Sequence, residues 1–225
     1  MTTTMETSQS KVENQNGSAK PAVNKKSGKG IAHGVVSELT AFFTVKAGQE
    51  EQLRAAIERF ANALRHQNPD EIQQIGLRDS RMVLFDNGRR MLWTTTFDTD
   101  WDPYLDDAML LFGVDNFIDW MKYVEEAETL TSWLQSVGGR TALLKSDDPE
   151  WIKSIPQKSA GLKQIIQSVQ VPATGYFNAL ADETIRQLRK AQQVDKAFQQ
   201  VLDNPAAAQP LQDPALKPLL DEASA

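Results

Sequence analysis

The chain has 225 residues, of which 40% are hydrophobic and 24% charged, and it contains no cysteine. That composition supplies a core without any covalent staple. The missing cysteines exclude disulfide frameworks, thiolate zinc sites, iron–sulfur clusters and cysteine nucleophiles.

The net charge of −6 is unevenly spread: residues 1–32 carry five lysines against two glutamates, +3, which leaves −9 for the rest. An acidic body without a continuous arginine stripe repels phosphate backbones, so no nucleic-acid partner is expected. No apolar run approaches the ~20 residues of a membrane-spanning helix. The opening MTTTMETSQSKVENQNG has no charged segment followed by an apolar one. No membrane partner is therefore expected, and the cytoplasm is the expected compartment.

Residues 1–32 are Thr, Ser, Asn, Lys and Gly with almost no large apolar side chain, which predicts a disordered basic tail. An ordered domain is expected over 33–204. In residues 35–45 Leu39, Ala41, Phe43 and Val45 alternate along one face of a predicted strand that ends at Lys46-Ala47-Gly48. A helix follows, with Glu50 and Glu51 in its first turn, Leu53, Ile57, Phe60 and Leu64 at helical spacing, and a stop at Asn68-Pro69.

Next comes a hairpin: a strand over 81–85, the turn Asp86-Asn87-Gly88, and a return strand over 90–97. Asp102 before Pro103 predicts an N-cap and a first helical residue. Helical segments are then expected through Met121, broken near Gly113, and again over 130–137 before Gly138-Gly139. Trp151 and Ile152 mark a short helix, and 162–169 fits either helix or strand. A last strand is predicted over 171–180, with Pro172 placing it at an edge. Asp182 caps a final helix striped by Ile185, Leu188, Val194, Phe198 and Val201. The Ala/Pro/Gln-rich end, 205–225, is expected to be flexible. The element order is that of an α+β, ferredoxin-like βαββαβ core with helical insertions and an appended C-terminal helix.

Few residues offer chemistry. The cluster Asp98, Asp100, Trp101, Asp102, Tyr104, Asp106 and Asp107 is dense in carboxylates, but it lacks the glycine and terminal glutamate of a calcium loop, so no metal is expected. Its competing role is helix capping, with Trp101 and Tyr104 packed inside. Trp93 and Tyr176, on two predicted strands, form either a shared aromatic pocket or plain core. His66 closes the first helix, where an imidazole suits the helix C-terminus. No phosphate-binding glycine motif and no Gly-x-Ser-x-Gly is present, and no cofactor is expected.

Two segments resemble a known superfamily. Glu38-Leu39-Thr40-Ala41-Phe42-Phe43-Thr44-Val45-Lys46-Ala47-Gly48 with its acidic helix resembles the first βα unit of dimeric α+β-barrel proteins. That superfamily includes antibiotic-biosynthesis monooxygenases, stress-responsive barrel proteins and haem-binding chlorite dismutase and dye-decolourising peroxidase groups. Residues 93–107 are similar to a Thr/Ser-x-Phe-Asp-Gly-x-Trp-x-x-Tyr-x-x-Asp pattern of an uncharacterised bacterial group of the same fold, with Thr99 in place of the glycine. The resemblance implies a homodimer packed sheet to sheet, and a pocket between sheet and helices in each protomer. On that basis the first expected function is a small-molecule-binding protein or cofactor-independent oxygenase acting on a flat aromatic molecule. Trp93, Phe97, Trp101 and Tyr176 would line the site, and His66, Asp98 or Tyr104 would move protons. A non-catalytic dimeric scaffold is the alternative. A haem-binding peroxidase-like protein is the third reading, against which no histidine follows His66.

Overall fold

The computed structural model describes residues 28–144 and 146–224. In chain order its regular elements are β1 (Ala32–His33), β2 (Val36–Thr44), α1 (Glu50–Arg65), α2 (Pro69–Gln74), β3 (Leu77–Phe85) and β4 (Arg90–Phe97). Then follow α3 (Trp101–Phe112), α4 (Val114–Met121), α5 (Leu130–Ser136), α6 (Pro149–Lys153), α7 (Ile155–Val169), α8 (Ile185–Leu202) and α9 (Lys217–Ala223).

The four strands form one antiparallel sheet in the order β1-β2-β4-β3. Alternation decides its two faces. Leu39, Ala41 and Phe43 of β2 and Met91, Trp93 and Phe97 of β4 are buried on one face, in one core with side chains of α1, α3 and α4. The seam is aromatic: Phe43 and Trp93 meet Trp120 edge-on at 5.3 and 5.7 Å, and Phe60 meets Phe117 at 5.1 Å. Such pairs each add about 0.5–1.5 kcal/mol beyond area burial. The hairpin turn is as expected, with Asp86, Asn87 and Gly88 all at positive φ. The break between α3 and α4 falls at Gly113, whose φ of 84° suits glycine alone.

Several expectations need correction. No strand forms over 171–180. Only Gln170 bridges Ala41, and the Val171 amide donates to the Thr40 carbonyl at 2.9 Å. Pro172 has no N–H with which to continue the ladder, and the chain leaves as a loop. The β2 edge is instead covered piecemeal, by β1 at one end and this bridge further along. The ambiguous stretch 162–169 is helix, the second half of α7. Asn68-Pro69, expected as a stop, also starts α2: the Asn68 side chain accepts from the Asp70 amide at 3.0 Å. Asp102 does not cap α3, which begins at Trp101.

Of the tail expected over 1–32, residues 1–27 lie outside the described residues. Residues 28–32 touch the body. Gly28 sits so close to Trp101 and Gln170 that a Cβ would collide with both. The Ile31 amide donates to Glu38 at 3.0 Å. Beyond α8 the chain turns back through three short 3₁₀ segments into α9. No helix of the described residues is long and apolar enough to cross a membrane.

Candidate functional site

Helix α1 lies across the buried sheet face and meets the edge strand β3 imperfectly. The gap is a cleft of about 350 Å³, walled by Ile57, Phe60, Ala61 and Leu64 of α1 and by Ser80 and Met82 of β3, with Arg65 and Arg81 at its margin. Helical spacing places Ile57, Ala61 and Leu64 in one row, and the strand's period of two brings Ser80 and Met82 to the same face. Beneath it lies a void of about 10 Å³ that shares Phe60, Leu64 and Ser80 and is closed by Trp93, Tyr104, Leu105 and Phe117. That void has room for one water at most.

Trp93 is therefore under the floor of the cleft. Its indole N–H donates to the Ser80 hydroxyl at 3.1 Å. Tyr104 lies deeper, stacked on Phe97 at 4.1 Å and hydrogen-bonded to Thr95, whose own hydroxyl donates to the Asp79 carbonyl at 2.7 Å. Burial, helped by the Asp79 charge and opposed by the Thr95 hydrogen bond, holds the Tyr104 phenol far above its ordinary range. It is a neutral hydrogen-bond donor, poorly suited to proton abstraction.

The other expected site residues are elsewhere. Tyr176 lies in the loop after α7, near Glu38 and Asp79 on the opposite side of the sheet from Trp93. The two rings do not share a pocket. Partial burial raises the Tyr176 phenol. Trp101 is fully buried at the start of α3, beside Gly28 and Gln170. His66 is exposed at the end of α1, with Nδ1 2.7 Å from the Asn62 carbonyl. Asp98 is buried: Arg78 Nε donates to one oxygen, the Ile185 amide at the start of α8 donates to the other, and Arg78 also reaches the Leu180 and Glu183 carbonyls. The three residues expected to move protons thus belong to three different local arrangements.

Two further polar constellations go beyond the sequence reading, which placed Asp102 and Asp106 in its acidic cluster but gave them no cation. Glu38 accepts from the Ile31 amide, the Ala173 amide and the Thr40 hydroxyl at 3.0, 3.2 and 2.8 Å, tying three segments together. Lys163 of α7 is buried between Asp102 and Asp106 of α3, at 2.8 and 2.6 Å, while Ser159 also donates to Asp106. Among the described residues no three His, Asp or Glu side chains gather in a metal-binding group.

No family model, no curated protein and no solved structure matches this chain.

Proposed function

We propose that the protein is a ferredoxin-like, homodimeric binding protein that takes a small, flat organic molecule in the cleft between α1 and β3, rather than an oxygenase. The cleft carries this reading. It is largely apolar, opens at the surface, lies over Trp93 and sits at the small end of ordinary ligand pockets. The separation of His66, Asp98 and Tyr104 favours binding over proton-transfer chemistry. The β2-β4-β3 order and the Asp86-Asn87-Gly88 hairpin support kinship with the dimeric α+β barrels.

The test is a thermal-shift screen with quinones and polyphenols. A compound at one hundred times its Kd should add about 2.7 kcal/mol of stability, or roughly 5–10 °C for a chain of this size. Ala61→Trp fills the cleft and should abolish the shift while leaving the ligand-free Tm within about 3 °C. The reading is lost if no compound raises Tm, or if the filled variant responds as the native protein does.

The second protomer should dock on the sheet face away from the helices. There Phe42, Leu92 and Val83 stand in register across three strands, with Arg90 over the rings of Phe42 and Phe85 at 5.7 and 5.1 Å. Val83 remains 40% exposed. A charge at that position, Val83→Glu, should convert a micromolar dimer to monomer in light scattering without lowering helix content. A native chain that is already monomeric removes the proposal.

A further inference from the structure

Resting on the cleft-binding reading, we infer that the flat group in the cleft is the aromatic side chain of an extended peptide, paired backbone to backbone with the open edge of β3. The order β1-β2-β4-β3 leaves β3 with a neighbour on one side only. Which of its backbone groups face outward follows from the register. On β2 the Glu38 amide and the Thr40 carbonyl bond away from β4, to Ile31 and Val171. In an antiparallel ladder this direction alternates from residue to residue, and directly opposite residues either bond each other or both face away. Thr96 and Thr94, opposite Glu38 and Thr40, therefore turn their backbone groups toward β3, where Asp79 and Arg81 meet them. Ser80 and Met82 are left with N–H and C=O pointing out of the sheet. Among the described residues nothing pairs with those groups.

Ser80 and Met82 are also the β3 residues that wall the cleft from the sheet side. A strand added beside them places every second side chain over the cleft, because directly opposite residues share a sheet face. Its backbone meets the two outward donors and two outward acceptors at their own spacing, while a ring on it lies against Ile57, Phe60 and Leu64. The opposite face sets the flanking residues. Asp79 and Arg81 stand there on either side of Ser80, both exposed and of opposite charge. In an antiparallel strand with its ring opposite Ser80, the preceding residue lies across from Arg81 and the following one across from Asp79. Charge complementarity therefore selects an acidic–aromatic–basic segment, in that order from N to C. No such triplet occurs in the 225 residues of this chain. The partner is a different protein.

The experiment is calorimetric titration of the full chain with the capped peptide Thr-Val-Glu-Phe-Lys-Thr and its variants. Exchanging the peptide's Glu and Lys should weaken binding about tenfold, because two attractive cross-strand pairs become repulsive. N-methylation of its Phe amide, which donates to the Ser80 carbonyl, should abolish binding. N-methylation of its Glu amide, which faces away from β3, should change affinity by no more than about threefold. Ala61→Trp should abolish binding of the parent peptide, and Arg81→Glu should erase the preference between the parent and the charge-exchanged form. Absence of peptide binding overturns the inference, while the quinone and polyphenol screen decides the cleft reading separately. Binding that survives Ala61→Trp, or that is indifferent to the position of the N-methyl group, overturns it as well. A peptide affinity that falls as the protein concentration is raised makes a second copy the occupant of the edge; one that rises on deletion of residues 1–27 makes that segment the occupant. Either result overturns the assignment to a different protein.

Discussion

Asp98→Ala is expected to cost about 3–5 kcal/mol of unfolding free energy, the usual penalty for stranding one partner of a buried ion pair. The Asp98 and Arg78 side chains are only 4% and 8% exposed. The carboxylate neutralises Arg78 with one oxygen and receives the Ile185 amide, at the start of α8, with the other. Alanine leaves the guanidinium buried, charged and still held by the Leu180 and Glu183 carbonyls. For a domain of this size the loss corresponds to a Tm drop of roughly 10 °C or more. Asp98→Asn keeps an acceptor for the Ile185 amide and should cost less. The pair Arg78→Met with Asp98→Leu should cost less than Asp98→Ala or Arg78→Ala alone, because neither charge remains to be stranded. Urea unfolding measures all four. A local signature accompanies the global one: α8 has no buried residue of its own. The alanine variant should therefore expose the 178–203 segment to protease before the core melts. An Asp98→Ala protein as stable as the native chain would remove the structural role and reopen that of general base.

The sheet and α1 were legible because both are patterned. Leu39, Ala41, Phe43 and Val45 alternate, Leu53, Phe60 and Leu64 follow the helical period, and Asp86-Asn87-Gly88 tolerates the positive φ that the hairpin needs. The last strand was misread because Tyr176, Phe177 and Leu180 look strand-like in composition. A strand also needs a partner edge, and Pro172 interrupts the ladder just after its first bridge. Phe177 is instead 79% exposed, beside His33 at 5.4 Å between ring centres. The acidic cluster was half legible. Its density marked it, but which cation it meets depends on α7, some sixty residues later. The spacing was nevertheless present: Asp102 and Asp106, and Ser159 and Lys163, are both i, i+4 pairs, so each presents two polar groups on one helical face. A pocket between sheet and helices was implied only by the resemblance, and the place of this cleft was not legible, because a mismatch between a helix and an edge strand leaves no mark in periodicity.

Lys163→Met should be nearly as damaging as Asp98→Ala, about 3–4 kcal/mol, and its cost should depend on pH. The ammonium is 3% exposed and lies within 2.8 Å of Asp102 and 2.6 Å of Asp106, joining α7 to α3. Methionine keeps the stem and removes the charge, so Asp102 and Asp106 face each other without a cation between them. Asp107, next along α3, reports the same field. Its carboxyl is held above the ordinary range, by burial first and then by the Asp106 charge, with Lys163 pulling it down. A carboxyl raised in the folded state favours folding at low pH, and that contribution is lost as pH rises through the folded value. Removing Lys163 removes the downward pull and extends this window upward. Acidification also relieves the bare carboxylates of their repulsion. The deficit of Lys163→Met should therefore be largest at pH 7 and shrink toward pH 4, as measured by urea midpoints across that range. Adding Asp102→Asn and Asp106→Asn to the methionine variant should recover most of the loss at neutral pH and flatten the dependence, because the network is then neutral on both helices. A methionine variant within about 1 kcal/mol of the native chain at pH 7, or one whose deficit is the same at pH 4, would mean that Lys163 does not hold α7 to α3 by charge.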